Sequence, residues 1–110
     1  MTDFKGVFPI LITPFDDTGD VDLISFDRII RFMPKIGVNG VTILGVLGES
    51  NRLTDAERES LIKTAIDAAE GQLPIIVGTS HSGTQATIQL SQMAETIGAN
   101  GVMITPSREP

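Results

Sequence analysis

The sequence predicts an α/β fold, the N-terminal half of a (β/α)8 TIM barrel with the order β1-α1-β2-α2-β3-α3-β4, and three observations predict it. Four apolar runs rich in β-branched residues alternate with three stretches of helical spacing. The four runs show little apolar-polar alternation, as strands covered on both faces of a parallel sheet do. The segment from Ile36 to Gly45 also recurs from Ile97 to Pro106, matching at Ile, Gly, Asn, Gly, Val and Ile, so each copy reads as a helix end, a glycine stop and a buried strand.

The elements follow in order. Val7 to Thr13 is the first strand, preceded by Lys5 and interrupted by Pro9. Phe26, Ile29, Ile30 and Met33 then share one helical face that stops at Gly37, and Pro34 removes a ladder hydrogen bond that bends or frays the last turn. Val41 to Leu44 is the second strand. Thr54-Asp-Ala-Glu57 has the form of a capping box, in which side chain and backbone at the two ends satisfy each other, and it opens a helix burying Leu61, Ile62, Ala65, Ile66 and Ala69 before Gly71. Pro74 to Val77 is the third strand. A third helix begins near 82–84, aligns Ala86, Leu90, Met93, Ala94 and Ile97, and ends at Gly98; Gly101 to Thr105 is the fourth strand. Right-handed crossovers between strands added in sequence put every helix on one side, which is half a barrel. A doubly wound, flavodoxin-like sheet has the same alternation but sends helices to both faces. The chain ends in Ser107-Arg-Glu-Pro110, so residues 1–110 read as a single unit, the leading half of a barrel truncated after its fourth strand.

Composition narrows the functions. Fourteen acidic against eight basic side chains give a net charge of −6 and a pI near 4.5, a field that repels polyanions, so nucleic acid is excluded as a partner. No cysteine means no disulfide framework and no thiolate zinc site, which suits a cytoplasmic location. No apolar run approaches the roughly 20 residues that cross a bilayer, so no membrane is expected. Asp16, Asp17 and Asp20 lack the spacing and terminal glutamate of a calcium loop and read as turn residues; no metal and no cofactor is expected.

In a barrel the site is built from loops that follow the C-terminal ends of the strands. The most informative here is Gly45-Val-Leu-Gly-Glu-Ser50, where two glycines let the backbone turn sharply and aim successive N–H groups at one point, a concavity suited to a carboxylate. A tight strand exit without a ligand has the same composition. This loop resembles the Gly-x-x-Gly-Glu signature of the dihydrodipicolinate synthase and N-acetylneuraminate lyase family. Thr13-Pro14-Phe15, Leu53-Thr54 with Glu57, Pro74-Ile-Ile-Val-Gly-Thr79 and Ile104-Thr-Pro106 resemble the family's flanking motifs in the same order.

The resemblance implies a class I lyase or aldolase that holds pyruvate or a related 2-keto acid as a Schiff base on a lysine. It also implies that Gly45, Val46, Leu47, Gly48 and Glu49 form the substrate-binding loop, with Glu49 in a supporting role. The resemblance also implies that the lysine lies on a later strand; Lys5, Lys35 and Lys63 precede strand one, close helix one and sit in mid-helix two, none at a strand's C-terminal end. No catalytic residue is therefore assigned within the chain, which alone is expected to be inactive. The family usually carries hydroxyls where Val46 and Leu47 stand, and the synthase branch adds tyrosine; this chain has no tyrosine, so a related lyase is expected rather than the synthase itself. Arg108 and His81 lie in rim loops, where pairing with a second carboxylate and proton transfer are the functional readings and solvated side chains the plain ones. A homo-oligomer is expected. The alternative is a non-catalytic half-barrel that self-associates or complements another chain through its uncovered sheet face and edges.

Overall fold

The computed structural model describes residues 6–44, 53–79 and 84–104. Three strands, β1 (Val41–Ile43), β2 (Ile75–Gly78) and β3 (Gly101–Met103), form one parallel sheet in the order β1-β2-β3. Three helices, α1 (Leu23–Phe32), α2 (Asp55–Ala69) and α3 (Thr84–Ile97), alternate with them, and a short 3-10 helix, Met33–Ile36, follows α1.

The first predicted strand is corrected. Residues 7–13 are extended beside β1, but only the bridge between Ile10 and Thr42 is formed, in the parallel sense. Its bonds run from Leu11 N–H to the Thr42 carbonyl and from Thr42 N–H to the Pro9 carbonyl. Pro9 and Pro14 donate nothing to a ladder, so few bonds form along this leading segment. It still adds a fourth parallel member beside β1, so the strands stand in chain order across the sheet. That order is the barrel's; a doubly wound sheet reverses direction within it.

Register places Ile10, Thr42, Ile76 and Gly101 side by side across all four members. The neighbouring row, Val41 and Ile43 with Ile75 and Val77, is fully buried under the helices. Helix α2 packs against both α1 and α3, as neighbours on one face do. Phe26 and Ile30 from α1 and Leu61, Ile62 and Ala65 from α2 supply much of that core.

Local chemistry explains the boundaries. Asp22 caps α1 by accepting from the Ser25 N–H at 3.0 Å. The helix tightens into the 3-10 turn at Met33-Pro34, and Gly37 leaves it in a left-handed conformation, φ +83°. The capping box is complete: Thr54 N–H donates to Glu57 Oε1 at 2.9 Å and Glu57 N–H to Thr54 Oγ1 at 3.1 Å. Thr54→Ala is expected to destabilise the fold by about 1 kcal/mol, with Thr54→Ser retaining most of that stability, read from urea midpoints. At the other end of α2 the left-handed exit begins one residue before the predicted glycine, at Glu70 with φ +51°. Its carboxylate is held by Arg31 Nη1 at 2.9 Å.

The repeat has a structural meaning. Asn39 N–H donates to the Val7 carbonyl at 2.9 Å, while its Oδ1 accepts from Val7 N–H at 2.8 Å. Asn100 N–H donates to the Ile75 carbonyl and its Oδ1 accepts from Ile75 N–H, both at 2.9 Å. Each repeated asparagine thus clamps the first residue of the preceding strand. The leading segment with β1, and β2 with β3, are two equivalent pairs.

Candidate functional site

Parallel strands end together, and here the C-terminal ends of β1, β2 and β3 form one rim, with Val77 opposite Ile43 and Gly78 opposite Met103. The predicted substrate loop starts from that rim. Gly45, Val46, Leu47, Gly48 and Glu49 lie outside the described residues, as do Lys5, His81 and Arg108. What the structure supplies is the frame on both sides of the loop.

Leu44 leads into it with φ +58° and its side chain buried. A left-handed leucine costs on the order of 1–2 kcal/mol and persists only where its surroundings hold it. The strand therefore ends at Ile43, one residue earlier than its apolar run. On the far side Leu53 is buried and Thr54 caps α2. The loop is anchored at both ends by buried leucines.

The neighbouring rim positions carry hydroxyls. Thr79, just past β2, is buried, shares a hydrogen bond of 2.8 Å with Ser91 Oγ of α3, and donates its N–H to the Met103 carbonyl. Thr13, at the end of the leading segment, is also buried. Arg58, one turn into α2, is buried too, with Nη1 3.7 Å from the exposed Asp55 carboxylate. Sequence reasoning passed over Arg58 although its spacing from Leu61, Ile62 and Ala65 puts it on the buried face. Nothing in the sequence marks Leu44 as left-handed.

The acidic loop after the leading segment is a self-contained turn. Phe15 and Val21 bridge in the antiparallel sense, and Asp16 Oδ1 accepts from Thr18 N–H at 2.9 Å, Thr18 Oγ1 at 2.6 Å and Asp20 N–H at 3.1 Å. The Thr18 hydroxyl, then its N–H, hold the Asp16 carboxyl below its ordinary range. A carboxyl depressed in the folded state stabilises above its unfolded pKa of about 4, and that contribution is lost as pH falls through the folded value. Asp16→Asn is accordingly expected to lower the urea midpoint at pH 7 and to shrink the loss of stability between about pH 4 and pH 2. An unchanged acid limb in the variant contradicts this. Among the described residues no group of three or more histidine and carboxylate side chains is arranged to hold a metal ion. No helix among them is long and apolar enough to cross a membrane.

The two lysines among the described residues stand away from the rim. Lys63 is mid-helix, exposed and 3.6 Å from Glu59, and Lys35 is exposed in the 3-10 turn.

Four parallel members in chain order, helices on one face and a loop-bearing rim define the leading part of a (β/α)8 barrel. Residues 3–107 match the model of the dihydrodipicolinate synthetase family, and the chain belongs to that family. It is 39% identical over 101 residues to the 4-hydroxy-tetrahydrodipicolinate synthase of Thermotoga maritima, covering 92% of this chain and 34% of that one. To an uncharacterized DapA-like lyase of Rhizobium meliloti it is 38% identical over 105 residues, covering 96% and 35%. The crystal structure of dihydrodipicolinate synthase from Rhodopseudomonas palustris superimposes with a TM-score of 0.87 at 42% identity, covering 92% of this chain and 33% of that one. The chain spans about a third of the length of the relatives it matches.

Proposed function

We propose that these residues form the carboxylate-binding part of a Schiff-base lyase acting on pyruvate or a related 2-keto acid. The observation that carries the reading is the match to a family of lyases across nearly the whole chain, with the Gly45-x-x-Gly48-Glu49 motif following directly on the rim of β1.

The chemistry requires two parts. A neutral lysine amine attacks the ketone carbon, water leaves, and the resulting iminium withdraws electrons from the neighbouring carbon so that a carbon-carbon bond can form or break there. The second part is a grip on the substrate carboxylate that orients the ketone toward the amine. Backbone N–H groups at Val46 and Leu47 suit that task, since they remain donors whatever the side chain. The same side chains carry no hydroxyl and the chain has no tyrosine, so no hydroxyl relay runs through these two positions. The preferred assignment is therefore a lyase of this family other than one that relays protons through hydroxyls in this loop.

The lysine also comes from outside these residues. Joining residues 1–110 to the part of the Thermotoga maritima relative that they do not cover, then treating with pyruvate and borohydride, is expected to add one reduced pyruvate to a lysine beyond residue 110. Val46→Pro, which deletes one of the two N–H donors, is expected to raise the pyruvate concentration needed for half-labelling by tenfold or more. Absence of any adduct, or an adduct on Lys35 or Lys63, defeats the reading.

A further inference from the structure

Leu44 joins two features that rarely meet in one residue. Its backbone is left-handed, φ +58°, and its side chain is 3% exposed. The other non-glycine residue with positive φ among those described, Glu70, is an exposed helix exit with Gly71 behind it, where left-handed backbone is common. Leu44 is instead the first residue past β1. Leucine crowds the following carbonyl in this conformation and glycine does not, so a leucine is held here by what its side chain gains. In an extended strand Leu44 would share the face of Thr42. Turned, it lies in the core cluster that contains Val41, Ile43 and Leu53, and that burial outweighs the strain.

The turn stops β1 where its neighbour does not stop. β2 stays extended through Gly78, which pairs with Met103, while the β1-β2 pairing ends at Ile43 and Val77. On the other side no bridge among the described residues follows that of Ile10 with Thr42. The bonds from Val41 N–H to the Pro74 carbonyl and from Thr42 N–H to the Pro9 carbonyl recur every second residue in a parallel ladder. An extended β1 would therefore give the Gly45 N–H to the Gly78 carbonyl and the Val46 N–H to the Thr13 carbonyl. The second of these is a donor on which the carboxylate grip depends.

We propose that Leu44 is a positioning residue for the substrate carboxylate: its buried side chain locks the left-handed turn that takes the chain off the sheet, which withholds the Val46 N–H from the Thr13 carbonyl and leaves it for the ligand. Leu44 itself touches no substrate, and its role rests on the lyase reading of the loop. Glycine at this place would make the turn as readily and hold it less, since nothing buried would oppose a return to the strand. A β-branched residue would favour the strand. The role needs an unbranched apolar side chain of about this size.

The barrel completed with the remainder of the Thermotoga maritima relative, treated with pyruvate and borohydride, reads the effect. Leu44→Ile is expected to raise the pyruvate concentration for half-labelling by about tenfold or more, the loss of one charge-assisted hydrogen bond, while the labelling rate at saturating pyruvate stays within about twofold of the parent. Leu44→Met is expected to keep the parent's half-labelling concentration within about twofold. Val41→Ala, buried at the other end of β1, is expected to lower the urea midpoint and leave half-labelling unchanged. Should Leu44→Ile fail to fold, Leu44→Gly takes its place and is expected to raise half-labelling by about threefold or more. Half-labelling unmoved in the variant used overturns the proposal, as does an equal rise in Leu44→Met or Val41→Ala. No adduct in the unaltered barrel overturns the lyase reading and this role with it; an adduct there with unmoved variants overturns this role alone.

Discussion

Gly40→Ala is expected to destabilise this chain strongly, by about 3 kcal/mol or more. Gly40 immediately precedes β1 and is buried; a Cβ there runs into the Phe8 ring and comes within 2.8 Å of the Pro74 carbonyl. The ring can swing aside, but the carbonyl accepts the Val41 N–H that begins the β1-β2 seam and cannot retreat without opening it. Overpacking of a well-filled core typically costs about 1–3 kcal/mol, and contacts with fixed backbone stand at or beyond the upper end. Far-ultraviolet circular dichroism followed through a urea titration is the measurement. A variant with a normal sigmoidal transition within about 1 kcal/mol of the parent contradicts the tight approach of these three segments.

The second large effect is at Asn100. Replacing it with alanine removes the acceptor for the N–H of Ile75, a fully buried residue, while the backbone bond from residue 100 back to the Ile75 carbonyl is kept. A buried donor left without a partner costs about 1–3 kcal/mol, more than the net gain of an ordinary hydrogen bond. Asn100→Asp keeps an acceptor oxygen in place and is expected to recover most of the loss. Asn39→Ala makes the same change at Val7, which is 61% exposed, so water replaces the missing acceptor and the penalty is expected to be clearly smaller. Equal losses at the two positions contradict the account, since they share a motif and differ in burial.

These two positions also show what the sequence makes legible. The repeated Ile-Gly-x-Asn-Gly-Val segment announces two helix-to-strand passages, because glycine and asparagine there serve backbone geometry that local chemistry dictates. The bonds to Val7 and Ile75 span 32 and 25 residues, and no local rule supplies them. The capping box was readable for the first reason: all its partners lie within four residues. Pro34 likewise announced a disturbed last turn of the first helix, and the structure gives that turn as a 3-10 helix. The leading segment shows the opposite case, where a strand-like composition yields a single bridge because two prolines interrupt the ladder and among the described residues only one neighbour is present. Arg58 was hidden by its charge, although helical spacing sets it among buried neighbours. Leu44 was hidden altogether: leucine carries no preference for a left-handed backbone, and only packing around its buried side chain explains the turn. The candidate loop was legible from its glycines and its family motif, while its surroundings, the Thr79–Ser91 hydroxyl pair and the buried leucines at either end, come from tertiary packing.

A barrel completed from residues 1–110 and the remainder of a relative, crystallised with pyruvate trapped on its lysine, tests the carboxylate grip most directly. The expected result has the trapped carboxylate within about 2.7–3.2 Å of the N–H groups of Val46 and Leu47. A carboxylate held elsewhere, with those two amides bonded to the protein's own carbonyls, contradicts it.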